Sequence, residues 1–430
     1  MHHHWEKEVK KGYEDYVNLN YKPKKDDLIC EFYFEPNKED YKRAAGAIAA
    51  ESSIGTWTFL TTTKPYMLKL AANVFYLKKR NSGFIAKVAY PKELFEYNNM
   101  PNILSSVAGN IFGMKEINNL RLNDIIFPKC IVKAYKGPKF GIDGVRKILN
   151  VYGRPLLGTI VKPKLGLNSR DHAQVCYDAW IGGCDIVKDD ENLSSQSFNK
   201  FKKRLIKTLK MKRKAEFETG EKKIYMINIT AETNEMLKRM ELAKKYGNEY
   251  VMIDVITVGW SALQTVRHKN EELNLVLHGH RAMHAILTKN LKHGISMKVL
   301  AKIYRIIGID QLHIGTGIGK MFESLEEVKE NVKACVENVY DLKQVFPVCS
   351  GGLHPGHVPF LIKNLGKDII IQMGGGIHGH PVGTVEGAKA ARQSIDAAMK
   401  NIPLEKYAKT HIQLKEALQK YRIHKREGKW

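Results

Sequence analysis

The stretch IYMINITAETNEMLKRMELAKKYGNEYVMIDV (224–255) reads as one complete strand–helix–strand unit. Ile224–Ile229 and Tyr250–Val255 are short, nearly continuous apolar runs, the pattern of strands covered on both faces. Between them, Thr233–Tyr246 mixes charged and apolar residues as an amphipathic helix does. A helix that joins two such strands is the crossover a parallel pair requires. The same alternation continues on both sides. Strands are expected at Pro155–Lys162, Asp185–Lys188, Asn274–His278, Gln311–Ile314, Phe346–Ser350 and Asp368–Met373. Helices are expected between them, for example at Ser296–Ile307, Leu325–Leu342 and Gly383–Lys400. Eight such units in about 260 residues fit an α/β fold of the closed (β/α)8 type, the TIM barrel. An open doubly wound sheet is the alternative, but no GxGxxG follows a first strand.

Residues 1–135 have a different texture. Asp27–Phe34 and Gly83–Tyr90 read as strands, and Lys38–Ala50 and the segment from Pro91–Glu96 onward as partly helical. This describes a smaller α+β N-terminal domain with an antiparallel sheet, set before a barrel domain at 136–430. The boundary falls near Tyr135–Asp143, where Gly137, Pro138 and Gly141 cluster. Leu404–Trp430 reads as one or two charged helices capping the barrel. The His2–His4 run is left out of the fold argument.

A chain of 430 residues with 43% hydrophobic content has enough apolar surface for two cores, which excludes global disorder. Apolar runs such as Ile369–Gln372 fall far short of the roughly 20 residues of a membrane helix. No signal-peptide pattern opens the sequence, and Cys30, Cys130, Cys176, Cys184, Cys335 and Cys349 show no CxxC pairing. Reduced thiols in a cytoplasmic protein, with neither a zinc site nor a disulfide framework, are the expectation. The formal charge of +24 raises nucleic acid as a partner. However, the basic residues are spread along helical segments such as Lys202–Lys214 and come with no zinc-finger or RNP-like motif. A solvated lysine-rich surface accounts for them better, so neither nucleic acid nor membrane is expected as a partner.

In a barrel enzyme the chemistry gathers at the C-terminal ends of the strands. Lys162 and Lys164 stand there after strand one, and Lys188, Asp190 and Glu191 after strand two. His280 and Arg281 follow strand five, and His313 lies at the end of strand six. Ser350-Gly351-Gly352 and Gly374-Gly375-Gly376 close strands seven and eight, where bare backbone N–H groups can approach phosphate oxygens. At strand spacing Lys188 and Asp190 face one side and Asp189 the other. A neutral lysine amine can add CO2, and the carbamate formed is an anionic oxygen ligand. With Asp190 and Glu191 it would give hard Mg2+ three oxygen donors. The run Gly315-Thr316-Gly317-Ile318-Gly319-Lys320 lacks the Walker spacing and fits a flexible lid delivering a cation to a developing anion.

Together these stretches spell a family. GTIVKPKLGL (158–167), GGCDIVKDDEN (182–192), HGHRAMHA (278–285), HIGTGIGKM (313–321), SGGLHPGH (350–357) and GGGIHGHP (374–381) resemble the large subunits of ribulose-1,5-bisphosphate carboxylase/oxygenase (RuBisCO). AAESSIGTWT (49–58) and AGNIFGMK (108–115) extend the likeness into the first domain, and the wording is most similar to the archaeal form III group.

The resemblance implies Mg2+-dependent enolisation of ribulose 1,5-bisphosphate, addition of CO2 or O2, hydration, and C–C cleavage to two 3-phosphoglycerates. CO2 would also be the activator, as a carbamate on Lys188 that binds Mg2+ with Asp190 and Glu191 and takes the C3 proton. Lys162 would handle protons at C2, His280 would assist hydration at C3, and Lys320 would stabilise the new carboxylate. Arg281 and His313 would hold one phosphate. Lys164, Gly351, Gly352, Gly374 and Gly375 would serve the other phosphate or neighbouring oxygens, and Ser350 a sugar hydroxyl. A head-to-tail homodimer would share its sites: Glu51, Thr56, Trp57 and Asn110 would reach the partner's substrate, and Glu51 would pair with Lys320. No small subunit is expected, larger rings of dimers are open, and form III kinship implies a role in nucleoside monophosphate salvage. A RuBisCO-like enolase or isomerase acting on a related phosphorylated sugar is the alternative. The lid departs from the family pattern: Gly317 replaces a valine, and Phe322 stands at the acid's position with Glu323 one place later. Ile314 and Ile160 also stand where many relatives carry polar residues.

Overall fold

The structure, a computed structural model, describes residues 12–38 and 40–422. The His2–His4 run, Glu39 and the segment after Arg422 lie outside the described residues. The chain forms two compact units. Of the described residues, one comprises those up to Lys136 together with Met283–Ile306, and the other Gly137–Ala282 with those from Ile307 onward.

The first unit carries β1 (Leu28–Pro36), β2 (Asn73–Arg80), β3 (Gly83–Tyr90) and β4 (Ile117–Ile126). β1 pairs antiparallel with both β3 and β4, and β2 forms an antiparallel hairpin with β3. The helix Tyr41–Glu51 buries every residue from Ala44 to Ala50. It begins after Lys38 because Asp40 caps it, its carboxylate accepting from the Lys42 and Arg43 N–H groups. After Pro91 the chain makes a short 3-10 turn at Lys92–Leu94 and then the helix Met100–Val107.

The second unit is the barrel, beginning with β5 (Leu156–Ile160), β6 (Ile186–Lys188), β7 (Ile224–Asn228), β8 (Tyr250–Asp254) and β9 (Val276–His280). The chain then gives β10 (Gly294–Ile295) to the first unit, where it pairs in parallel with β4. It completes the barrel with β11 (Gln311–His313), β12 (Phe346–Ser350) and β13 (Ile370–Gln372). The closed order is β11-β12-β13-β5-β6-β7-β8-β9, all neighbours parallel.

Two of the boundary shifts have a clear local cause. Strand five starts at Val276 and runs to His280, because Asn274 takes a left-handed φ of 53° and closes the preceding helix, its N–H donating to Asn270. The helix from Leu325 starts on a Ser324–Glu327 capping box but stops at Val336, well before Leu342. At the other end of the chain, Leu404–Tyr407 and Ile412–Tyr421 are two short helices, and Leu404, Ala408 and Leu414 bury together with Ala397.

A helix not foreseen, Gly141–Leu149, plugs the barrel floor. Ile142, Val145 and Leu149 share one helical face and pack with Leu156, Ile186, Ile224, Tyr250, Val276, Phe346 and Ile370. The floor is tied by Asp310, whose buried carboxylate accepts from the N–H groups of Phe140 (2.6 Å), Gly141 (3.0 Å) and Leu277 (3.0 Å). Replacing it by alanine leaves buried donors unpaired, at about 1–3 kcal/mol each. Asp310→Ala is therefore expected to lower the urea midpoint of the barrel by the equivalent of at least about 3 kcal/mol. Asp310→Asn, which keeps an acceptor, should lose markedly less.

Candidate active site

The rim at the C-terminal ends of the barrel strands collects the polar residues. β6 ends at Lys188, in register with Ile160 on β5 and Met226 on β7. Lys188 is buried, with its Nζ donating to the Asp189 carbonyl at 2.8 Å and lying 3.2 Å from the Met252 sulfur. Burial pulls its amine below the ordinary lysine value, against the opposing pull of the Glu191, Asp190 and Asp254 carboxylates. Asp190 is likewise buried, and the Lys162 ammonium donates to its Oδ2 at 2.6 Å.

Asp189 faces the other way, as strand alternation requires. It accepts from Arg204 Nε (3.0 Å), the Tyr225 hydroxyl (2.7 Å) and the Asn228 N–H (3.0 Å), and His172 Nε2 lies 3.1 Å away. Burial alone would raise this carboxyl, but the Arg204 charge beside it outweighs that and holds it at about 2. Glu191 lies 3.7 Å from His280 Nε2, and the other ring nitrogen of His280 lies 2.9 Å from Asp254 Oδ1.

His278 and His313 share one hydrogen bond, Nε2 to Nε2, at 2.9 Å, and His278 Nδ1 lies 2.9 Å from Gln311 Oε1. One ring must donate and the other accept, so the accepting ring is neutral: a proton on its nitrogen would set two N–H groups face to face. Burial pushes His278 down to about 3, and burial together with His280 and His278 pushes His313 well below the usual range. Arg281 is buried and forms an ion pair with Glu323, Nη2 to Oε1 at 2.5 Å.

The glycine-rich segment after β11 rests on the end of β12. The Lys320 N–H donates to the Gly351 carbonyl at 3.3 Å, and the Lys320 side chain is exposed. A Cβ on Gly319 would come within 2.6 Å of the Gly351 oxygen, and one on Gly351 within 2.4 Å of Met321 Cγ. Gly317 has φ +62°, and a Cβ there would meet Leu325 Cα at 2.9 Å, so this conformation is closed to the family's valine. Across the rim, a Cβ on Gly374 would stand 3.0 Å from Lys162 Cε, whereas Gly375 faces open space. Gly352 is also left-handed at φ +71°, Ser350 ends β12 opposite Gln372, and Lys164 is exposed.

The profile of the RuBisCO large chain catalytic domain matches residues 141–421, and that of its N-terminal domain matches residues 15–131. The chain belongs to the RuBisCO large chain family. Ribulose bisphosphate carboxylase of Methanocaldococcus jannaschii is 51% identical over 425 residues, covering 94% of this chain and 99% of that one. The carboxylase of Methanosarcina mazei is 49% identical over 424 residues, covering 95% and 99%. Among solved structures, octameric Rubisco from Pyrococcus horikoshii in complex with sulfate aligns with a TM-score of 0.93 at 48% identity, covering 97% of this chain and 98% of that one. Dimeric Rubisco from Hyperthermus butylicus aligns at 0.90 and 45% identity, covering 96% and 100%.

With the RuBisCO fold in hand, the residues expected at the site sort into two groups. Lys162, Lys164, Lys188, Asp190, Glu191, His280, Arg281, His313, Lys320, Ser350, Gly351, Gly352, Gly374 and Gly375 all belong to the barrel unit. Glu51, Thr56, Trp57 and Asn110 belong to the other unit. There Glu51 accepts from the Tyr13 hydroxyl at 2.7 Å, Trp57 is 75% exposed, and Asn110 is exposed at the start of a 3-10 turn. Asn228 and Asp254 were not anticipated, although they end strands three and four on the same rim. Asn228 Nδ2 donates to the Glu191 carbonyl at 3.1 Å, and Asp254 orients His280. Their signal was position alone: a polar residue closing an apolar strand. No helix among the described residues is long and apolar enough to cross a membrane.

The neutral histidine pair makes the barrel acid-sensitive. His278 binds no proton in the folded state until about pH 3, whereas the unfolded chain binds one near 6.5. Its contribution to stability is present above pH 6.5 and is lost as the pH falls from there to about 3. The expected loss is up to about 5 kcal/mol. Urea midpoints measured from pH 7 to 4 should fall steeply, and more gently in His278→Gln.

Proposed function

We propose that this chain catalyses carboxylation of ribulose 1,5-bisphosphate, with O2 as a competing second substrate, at a Mg2+ site completed by carbamylation of Lys188. The observation that carries the reading is the buried amine of Lys188 beside Asp190 and Glu191. The fit with Mg2+ rests on the donor set: Asp190 and Glu191 are hard oxygen donors, and among the described residues no third carboxylate, histidine or cysteine completes a metal-binding group with them. A carbamate on Lys188 supplies the missing anionic oxygen, and burial favours the neutral amine that CO2 requires. When bound, Mg2+ polarises the substrate carbonyl and stabilises negative charge developing on its oxygen.

The chain's own groups then divide the work. The modified Lys188 takes the proton from C3 of the substrate. Lys162, held 2.6 Å from Asp190, is placed to move a proton at C2 and to protonate that carbon after cleavage. Asp254 steadies His280, which assists the attack of water at C3. Lys320 brings its ammonium to the carboxylate made from CO2. Arg281 and His313 hold one phosphate; Gly351, Gly352, Gly374, Gly375 and Lys164 hold the other or neighbouring oxygens, and Ser350 a sugar hydroxyl. The exposed Trp57, with Phe59, Leu60 and Tyr66 also exposed, suits a segment covered by a second chain. Thr56 and Trp57 would then reach the partner's substrate phosphate, Asn110 its substrate near the metal, and Glu51 its Lys320. Relatives described as dimeric and octameric support a homodimer as the working unit. Nucleoside monophosphate salvage is the physiological setting we infer.

After preincubation with Mg2+ and bicarbonate, ribulose bisphosphate should drive labelled CO2 into acid-stable 3-phosphoglycerate, and Lys188→Ala should abolish this. Absence of product from the intact wild-type dimer would transfer the reading to an enolase or isomerase. Lys320→Ala is expected to lower carboxylation by roughly 10²–10³-fold. It should still exchange the C3 proton with solvent, which NMR in D2O would register.

A further inference from the structure

The displaced acid of the lid has a partner. Glu323 is 6% exposed and Arg281 4% exposed, and their ion pair lies against Gly315, where a Cβ would stand 3.3 Å from Arg281 Nη2 and 3.4 Å from Glu323 Cδ. Gly315 has φ +94°, so the lid leaves β11 over the pair without a side chain to disturb it. The second terminal nitrogen of Arg281, Nη1, is buried and makes no hydrogen bond among the described residues. A buried guanidinium with one nitrogen clamped and one unpaired is a fixed anion-binding donor.

The position of the clamp matters. An acid two places after the lysine, as in the family pattern, would ride on the lid; that position here is Phe322, 40% exposed. Glu323 instead directly precedes Ser324, which caps the helix Leu325–Val336. Its backbone is therefore anchored next to a capped helix rather than carried on the glycine-rich segment.

We propose that Glu323 is a positioning residue that sets the affinity of the site for the substrate's phosphate, an inference that rests on Arg281 binding that phosphate. It acts in two opposing ways. Its carboxylate aims the guanidinium, which favours binding. Its negative charge, felt strongly in a buried site, offsets the Arg281 charge and weakens the hold on a phosphate dianion. The net effect is a phosphate site that is ordered but not sticky, so that products carrying the same phosphate can leave.

The two effects separate by substitution. Glu323→Gln keeps an acceptor for Nη2 and removes the charge. It should lower KM for ribulose bisphosphate and the inhibition constants of inorganic phosphate and sulfate by about 3–10-fold, and lower kcat as release slows. Glu323→Ala frees the guanidinium and should raise the same constants by about tenfold. Opposite shifts in the two variants support the proposal. It is overturned if Glu323→Gln weakens phosphate as much as Glu323→Ala, or if both keep wild-type constants and lose only thermal stability. Arg281→Lys tests the underlying assignment: unchanged inhibition by inorganic phosphate would remove Arg281 from the phosphate site, whereas failure of the wild type to make product would refute the carboxylase reading instead.

Discussion

A single buried carboxylate decides how the rim is laid out. Asp189 sits outside the barrel lumen, bonded to Arg204 Nε, the Tyr225 hydroxyl and the Asn228 N–H. A charge so deep is tolerated only because a cation and fixed donors surround it, and removing one partner from such a pair typically costs about 3–5 kcal/mol. The anchor fixes the pleat at the end of β6. With Asp189 pinned outward, Lys188 and Asp190 have no choice but to face the site. The arrangement also reaches sideways, since Tyr225 and Asn228 belong to β7 and Arg204 to the helix Phe201–Thr219. Sheet, helix and site therefore share one electrostatic joint.

Much of this was legible in the sequence, for a physical reason. Parallel strands covered on both faces need continuous apolar runs, and most of the barrel strands announce themselves that way, whereas the fifth ends in His-Gly-His and is read two residues early. The N-terminal sheet was harder. β2 reads NVFYLKKR and lies at the edge of its sheet; its short apolar run Val74–Leu77 gives way to three exposed basic residues, so it lacks the long apolar run of a strand covered on both faces. The floor helix Gly141–Leu149 begins with two glycines and an acid among its first four residues, which local pattern assigns to a linker. Only its seat against the barrel floor makes it a helix.

At the site, the residues that end strands with a lysine, histidine or glycine cluster could be read, because such groups are out of place in a core. Asp254 escaped because one acid at a strand end looks ordinary until its hydrogen bond to His280 is seen. Glu323 escaped differently. In sequence it is an acid one place out of register; in space it is the carboxylate that meets Arg281. Pairings between residues more than forty positions apart are a property of the fold and leave no local mark.

The contact between the lid and the end of β12 carries an evolutionary consequence. A Cβ on Gly319 would run into the backbone of Gly351 and Gly352, and one on Gly352 would collide with the Lys320 backbone nitrogen. Neither limb can acquire a side chain unless the other retreats, so the two segments must drift together or stay as they are. The glycines that let two stretches of backbone touch form an interlock that single mutations cannot pick.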